Sequence, residues 1–340
     1  MITIYDIAKK ANVSAMTVSK VINHTGRISL ATRERVQQVI DELGYIPNSN
    51  ARSLVLQRTQ MLSLLITDIT NPFYTTLARG AEDAAHLRGY RLLFGNSDEN
   101  YNKEKDYVDA ILSTRVDGVL FAPAGDRSLH HLQQLQERHI PFVFLDRTVP
   151  GITSDVIAGD SREGAIELIR YLVKLGHRRI ALVNGSSEVS TARLREEGYM
   201  DALHEAELSA DPELVLRTGY RDFSDEEGLD RLLSQSEQPT AIFAANNMLA
   251  IGVIRLLRKR GLRVPEDISV VCFDDLDLAS AFDPFLTVAA QPAYDFGHRG
   301  VHMLIDRIEG KASPEAQTVI LPSELRIRAS ASAPREQEKS

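Results

Sequence analysis

Apolar positions recur at helical spacing in three short blocks at the start of this chain. Ile4, Ile7, Ala8 and Ala11 make the first, Val18, Val21 and Ile22 the second, and Val36, Val39, Ile40 and Leu43 the third. Thr3 precedes the first block, with Asp6 placed to complement the positive end of a helix dipole. Ser14 and Ser29 precede the other two as N-caps. The second helix is expected to run through about Asn23, and Gly44 stands where the third should end. Two short helices across a turn as small as Asn12-Val13 form a helix-turn-helix. Residues 1–45 thus read as an all-α helix-turn-helix head. Pro47 interrupts the pattern, and in the linker 46–59 a helix over 49–56 would have almost no apolar face and be marginal alone.

From Met61 the period changes. Short apolar runs at 61–67, 90–95, 116–122, 142–145 and 156–158 alternate with amphipathic stretches, and a second series follows at 180–184, 214–217, 241–244 and 269–273. Continuous apolar strands separated by helices mean parallel sheets covered on both faces. Two series predict two doubly wound parallel-sheet subdomains of an α/β core, with a ligand between them at the carboxyl ends of the strands. The polar tail 329–340 is expected to fray.

The 340 residues exceed one ordinary domain, and 43% apolar with 25% charged residues is a globular composition. No apolar run reaches the ~18 residues of a membrane span, and charges occupy the place of a signal peptide's apolar stretch, so a cytoplasmic protein is expected. Cys272 lies in the apolar run 268–273, where a buried bystander is the simpler reading beside a reactive thiol. A net charge of −8 argues against a polyanion partner until the chain is divided. Residues 1–58 hold eight Lys/Arg against four acids, a net of +4 that leaves −12 for the rest. Phosphate attraction is thereby confined to the head.

The strings Thr3-Ile4-Tyr5-Asp6-Ile7-Ala8 and Val13-Ser14-Ala15-Met16-Thr17-Val18-Ser19-Lys20-Val21-Ile22-Asn23 closely resemble the head of the lactose-repressor (LacI/GalR) family. The linker string Tyr45-Ile46-Pro47-Asn48-Ser49-Asn50-Ala51-Arg52-Ser53-Leu54 resembles its hinge. In the body the resemblance continues through Asn71-Pro72-Phe73-Tyr74, Gly176-His177, Arg193-Leu194-Arg195-Glu196-Glu197-Gly198-Tyr199 and Val264-Pro265-Glu266-Asp267-Ile268-Ser269-Val270. It covers roughly residues 2–330. It implies a head at 1–45, a hinge at 46–59, and a periplasmic-binding-protein-like core at 60–330 that senses a small molecule and dimerises. The first subdomain would comprise about 60–160 plus 291–321, the second about 161–290 plus 322–330, with 331–340 as tail.

The resemblance also implies roles. Ala15, Met16 and Lys20 would face base edges in the major groove, the first two reading or excluding thymine methyls and Lys20 reaching guanine. Thr3, Tyr5, Ser14, Thr17, Ser19, Asn23, Arg27, Ser29 and Thr32 would position phosphates. Capping alone would also explain Ser14 and Ser29, and an ordinary exposed helix face would explain Thr17 and Ser19. Asn48, Ala51 and Leu54 would contact DNA from the hinge, Leu54 as a minor-groove wedge; packing on the next domain is its alternative.

For the cleft, the resemblance implies Asn71, Phe73, Tyr74, Asp98, Asp146 and Arg147 from one subdomain. Asp160, Arg195, Phe223, Asn246 and Asp274 come from the other, with Gln291 at the crossover. Carboxylates, amides and arginines around an aromatic ring suit a polyhydroxylated ligand such as a sugar. Helix capping is the other reading for Asp98 and Asp160, core packing for Phe73, and solvation for Arg195. Asn247 departs from the family, where aspartate is frequent.

The expected function is a sequence-specific transcription regulator, most simply a repressor. A homodimer on a pseudo-palindromic operator would be controlled allosterically by a small molecule, with a phosphoprotein co-regulator left open. A sugar-transport protein would lack the basic head. An enzyme is not expected: the chain has no G-x-G-x-x-G opening a helix, Walker A loop, nucleophile elbow or Cys/His metal cluster, so no cofactor or metal is expected either.

Overall fold

The computed structural model describes residues 2–23, 25–45, 58–276 and 283–335. The hinge positions Asn48, Ala51 and Leu54 lie outside them. Contacts divide the chain into two units, Met1–Thr59 and Gln60–Ser340.

The first unit holds helices α1 (Ile4–Ala11), α2 (Ala15–Ile22) and α3 (Leu30–Leu43). Ile7, Val18 and Val36, one from each helix, are fully buried at its centre. The start signals act as their chemistry requires. Asp6 accepts from the Thr3 backbone N–H at 2.8 Å and from its hydroxyl at 2.7 Å. Ser14 Oγ accepts the Thr17 N–H at 3.1 Å, and Ser29 Oγ that of Thr32 at 3.3 Å. Gly44 ends α3 at φ 59, a conformation costly for residues with a Cβ.

The second unit contains two six-stranded sheets. In chain order its elements begin β1 (Met61–Ile66), α4 (Pro72–Leu87), β2 (Arg91–Asn96), α5 (Tyr101–Thr114), β3 (Gly118–Phe121), α6 (Leu129–Glu137), β4 (Phe142–Leu145) and β5 (Asp155–Gly159). Then follow α7 (Ser161–Lys174), β6 (Ile180–Asn184), α8 (Ser190–Glu205), β7 (Val215–Arg217), α9 (Glu226–Leu233), β8 (Ala241–Ala244), α10 (Asn247–Lys259), β9 (Ser269–Phe273) and β10 (Thr287–Ala290). Last come α11 (Ala293–Ile308), β11 (Thr318–Leu321) and β12 (Glu324–Arg326). One sheet has the order β2-β1-β3-β4-β5-β11 and is parallel throughout. The other runs β7-β6-β8-β9-β10-β12, parallel except for the antiparallel edge strand β12. The chain passes between the sheets after β5, β10 and β11, so each subdomain is built from more than one segment.

Strands β3, β4, β6, β8, β9 and β10 are buried along their whole length, as expected of sheets covered on both faces. Helices α4 and α11 cover one face of the first sheet at unusually close range. A Cβ at Gly80 would lie 2.0 Å from the Tyr294 carbonyl oxygen, and one at Gly297 1.9 Å from that of Leu77.

The expected frayed tail is corrected over 329–335. Ser330 is fully buried; its hydroxyl donates to the Val270 carbonyl at 2.6 Å and accepts the Thr287 N–H at 2.8 Å. Ser332 presents its carbonyl to His177 Nε2 at 2.8 Å. Ser330 and Ser332 hold this stretch to the backbone and side chains beside β9 and β10, while Ala329, Ala333 and Arg335 stay exposed. Among the described residues no helix is long and apolar enough to cross a membrane, and no group of three or more acidic, His or Cys side chains could hold a metal.

Candidate functional site

Two candidate sites lie in the two units. On the head, Tyr5 and Met16 are 71% and 68% exposed, large apolar surface with no core to join. Lys20 and Arg27 are exposed with them, and the Lys20 stem passes over Gly26, whose φ is 71. Ala15 packs against the head core and is half-buried, so Met16 and Lys20 carry most of the free edge of α2. Thr3 is exposed, while Ser19 and Asn23, at 3.3 Å from each other, are half-buried. Ser14 pairs with Thr17 at 2.9 Å and Ser29 with Thr32 at 2.8 Å, so these four already complete helix starts.

The second site is the cleft between the subdomains, where side chains from the carboxyl ends of the strands converge. After β1, Asn71 caps α4, its Oδ1 accepting the Phe73 N–H at 3.0 Å. One residue on, the Tyr74 hydroxyl donates to Asp146 Oδ2 at 3.1 Å. Asp146 directly follows β4 at φ 66, and Asp274 directly follows β9 at the same φ, so both sheets end in a left-handed aspartate turned into the cleft. Arg147 gives its two terminal nitrogens to Glu99, each at 2.7 Å, and its guanidinium lies 5.4 Å from the centre of the Tyr220 ring. From α8, Arg195 donates to the Ala245 carbonyl at 2.6 Å, lies 4.1 Å from the Phe273 ring centre and approaches Asp274 at 3.9 Å. Gln291 Nε2 donates to the other oxygen of Asp274 at 2.7 Å.

Burial dominates the electrostatics. It pushes the Asp274 carboxyl up to about 6, with Arg195 opposing. Burial also raises Asp146, again opposed by Arg147 and Arg195. On Arg147 burial is the largest effect and works against the charge, but Glu99, Tyr74 and Asp146 together outweigh it and hold the proton more tightly than in free arginine. Around these groups Asp146 Oδ1, Arg147 Nε, Arg195 Nε, Asn247 Oδ1 and Gln291 Oε1 are buried without a hydrogen-bond partner. Buried polar atoms are normally paired, because leaving one unpaired costs about 1–3 kcal/mol. Beside this cluster a polar cleft of about 240 Å³ is lined by Phe73, Thr76, Asp274, Gln291, Tyr294 and Arg326.

Not every candidate joins the cluster. Asp160 caps α7 through the Glu163 N–H at 3.3 Å. Asn246 caps α10 through the Leu249 N–H at 2.8 Å and donates to the Tyr220 carbonyl at 3.1 Å. Phe223 has no exposed surface and lies in the apolar core of the second subdomain, against Gly252. Asp98 is held by Lys103 at 2.5 Å and by Arg221 at 3.1 Å. Cys272 is fully buried and burial pushes its thiol up, which makes it the inert bystander.

Residues 3–48 match the bacterial regulatory proteins of the lacI family, and residues 169–331 match the periplasmic binding protein-like domain. The HTH-type transcriptional regulator DegA of Bacillus subtilis (strain 168) is 36% identical over 97% of this chain and 98% of its own length. The chain belongs to the lacI family. This lacI-family regulator carries a helix-turn-helix DNA-binding domain at its head. Its fold matches that of the lac repressor dimer bound to operator and the anti-inducer ONPF, with TM-score 0.84, 28% identity and coverage of 98% and 99% of the two chains. The regulator CelR in complex with cellobiose matches at TM-score 0.72 and 30% identity over 97% and 100%.

Several cleft residues of this lacI-family chain carry no signal in the sequence. Tyr220 and Arg221 come from the loop after β7, and Arg221 reaches Asp98 and, at 3.7 Å, Asp68 on the opposite subdomain. Ser190 Oγ accepts the Thr148 N–H at 3.0 Å across the cleft. Arg193 and Asp126 form an ion pair across it. Arg193 lies in the family-like string 193–199 without being singled out by it, and Asn247 is marked by the sequence as a departure from the family pattern.

Proposed function

We propose that this lacI-family chain is a repressor that acts as a homodimer on a pseudo-palindromic operator and is controlled by a polyhydroxylated small molecule in the cleft. The observation that carries the ligand class is the set of five buried, unpartnered polar atoms on Asp146, Arg147, Arg195, Asn247 and Gln291. Two are N–H donors and three are acceptors, and hydroxyl groups, which both donate and accept, can answer all five. The CelR complex holds cellobiose, which supports a sugar here. The buried arginines and carboxylates contact one another, which supports a binding role for the cleft.

The head supplies DNA attraction through its local net charge, while the acidic body repels DNA elsewhere. Two-fold symmetry would place two heads on matched half-sites. Closure of the cleft would bias the hinges between DNA-competent and incompetent arrangements, with coupling of about 1–3 kcal/mol.

The test is a mobility shift on duplexes selected from a random pool, repeated with a panel of mono- and disaccharides. Retention of a two-fold symmetric sequence, steeply weakened by salt, is expected, with one sugar class changing affinity about 5–150-fold. Selection of no common sequence would overturn the DNA reading, and indifference to every sugar would overturn the ligand class.

A further inference from the structure

Asn247 sits at the first turn of α10 with no exposed surface, and its Nδ2 faces two oxygens. Asn71 Oδ1, from the other subdomain, is 3.1 Å away, and the Asp275 carbonyl oxygen is 3.4 Å away. Which end of the Asn71 amide is oxygen is settled independently, because that atom also accepts the Phe73 N–H that starts α4. Both neighbours of Asn247 are therefore acceptors, so position 247 must donate. A carboxylate there would set a buried negative charge against two oxygens.

We propose that Asn247 is a positioning residue that latches the two subdomains together without any ligand. Its amide joins the first turn of α10 to the first turn of α4. The latch fixes how much of the closure a bound molecule has to supply, and in that sense it rests on the reading of the cleft as an effector site. The ionic contacts at the lip, Arg193 with Asp126 and Arg221 with Asp98, are partly exposed and screened by salt. The amide pair is buried and uncharged, so its hold persists when theirs weakens.

The test measures the distance between the subdomains in the full chain, with no DNA and no sugar present. Spin labels go on Asp106→Cys in α5 of the first subdomain and Glu227→Cys in α9 of the second, two exposed positions. The native Cys272 is fully buried and stays unlabelled. Asn247→Asp is expected to lower the closed-to-open ratio about tenfold, one buried hydrogen bond turned into a repulsion. Asn247→Ala removes the donor without adding charge and carries the test if the aspartate variant fails to fold. Asn71→Ser keeps a good N-cap but is too short to reach Asn247. It should open the cleft to the same degree as Asn247→Ala, and the double variant no further, since both remove one bond. An unchanged distance distribution in Asn247→Ala and Asn71→Ser, or additive opening in the double variant, would overturn the latch. The result is independent of the sugar panel. A latch that fails beside a sugar-responsive shift removes only the latch, and a latch that holds beside a sugar-indifferent shift removes only the effector reading.

Discussion

Arg193 of one subdomain holds both carboxylate oxygens of Asp126 of the other, at 2.8 and 3.1 Å. The backbone N–H of Asp126 also donates to the Glu188 carbonyl at 2.9 Å, so the segment between β3 and α6 is clasped from the far side of the cleft. About a third of each charged side chain is exposed. A bidentate pair of this kind contributes no more than about 1 kcal/mol, and salt reduces it.

Asp126→Asn therefore weakens closure modestly. The sugar concentration for half-maximal change in operator binding should rise about two- to fivefold. The difference from wild type should shrink when the titration is repeated at high salt. A loss that is independent of salt would mean that the backbone contact to Glu188, not the ion pair, joins the subdomains.

Asp274 predicts a pH dependence. Its carboxyl rises from 3.8 to about 6 in the folded chain, so the folded state binds a proton that the unfolded state has released. Between these values stability falls as pH rises, by about 1–3 kcal/mol from this group. Asp274→Asn should remove that part of the slope in urea unfolding from pH 4 to 7. A hydroxyl donated by a ligand favours the charged form, so sugar affinity should strengthen as pH passes through about 6 in wild type and stay flat in the variant. A wild-type slope retained by Asp274→Asn would assign the titration elsewhere.

Gly80 predicts where the first subdomain cannot yield. Its missing Cβ would meet the Tyr294 carbonyl oxygen at 2.0 Å, and a backbone atom cannot step aside as a side-chain tip can. Gly80→Ala must push α4 away from α11, at a cost of about 3 kcal/mol despite alanine's better helix propensity. The urea midpoint of the body should fall while the melting of the head stays in place. An unchanged midpoint would show that the two helices slide freely.

The inner strands β1, β3, β4, β5, β6, β8 and β9 are legible as apolar runs because both faces are covered, and the edge strands β2 and β7 are read with them. The short inner strand β10, Thr-Val-Ala-Ala, is not, nor are the edge strands β11 and β12. β11 is largely exposed and β12 is Glu-Leu-Arg, an antiparallel strand defined by its partner β10 alone. Caps at Ser14 and Ser29 are legible because the signal is local, one hydroxyl and the N–H three residues on. In the cleft, Asp146, Arg147 and Asp274, directly after strands, are named through the family resemblance. Tyr220, Arg221 and Asp126 come from loops whose sequence holds no periodicity, so only the folded chain brings them to the site. Asp160 shows the other reading of such a position: an acidic residue at a strand end whose hydrogen bond goes to its own helix start.

On the head, Met16 and Ser14 should separate reading from building. Met16 is 68% exposed and gives nothing to the core, so Met16→Ala should leave head stability within about 0.5 kcal/mol of wild type. If its side chain meets base edges, preference should relax at one base pair per half-site, a change of about 1–3 kcal/mol between the best and the substituted sequence. Ser14→Ala instead deletes the cap on the Thr17 N–H and should cost about 1 kcal/mol of helix stability. Its binding should weaken by the same factor on every sequence. Both variants are measured on one library of operators randomised at each position, at fixed salt, with the melting of the head followed in parallel. An unaltered base preference in Met16→Ala would move the reading edge of α2 to Lys20. A selective change at one base pair in Ser14→Ala would give that serine a role beyond its cap.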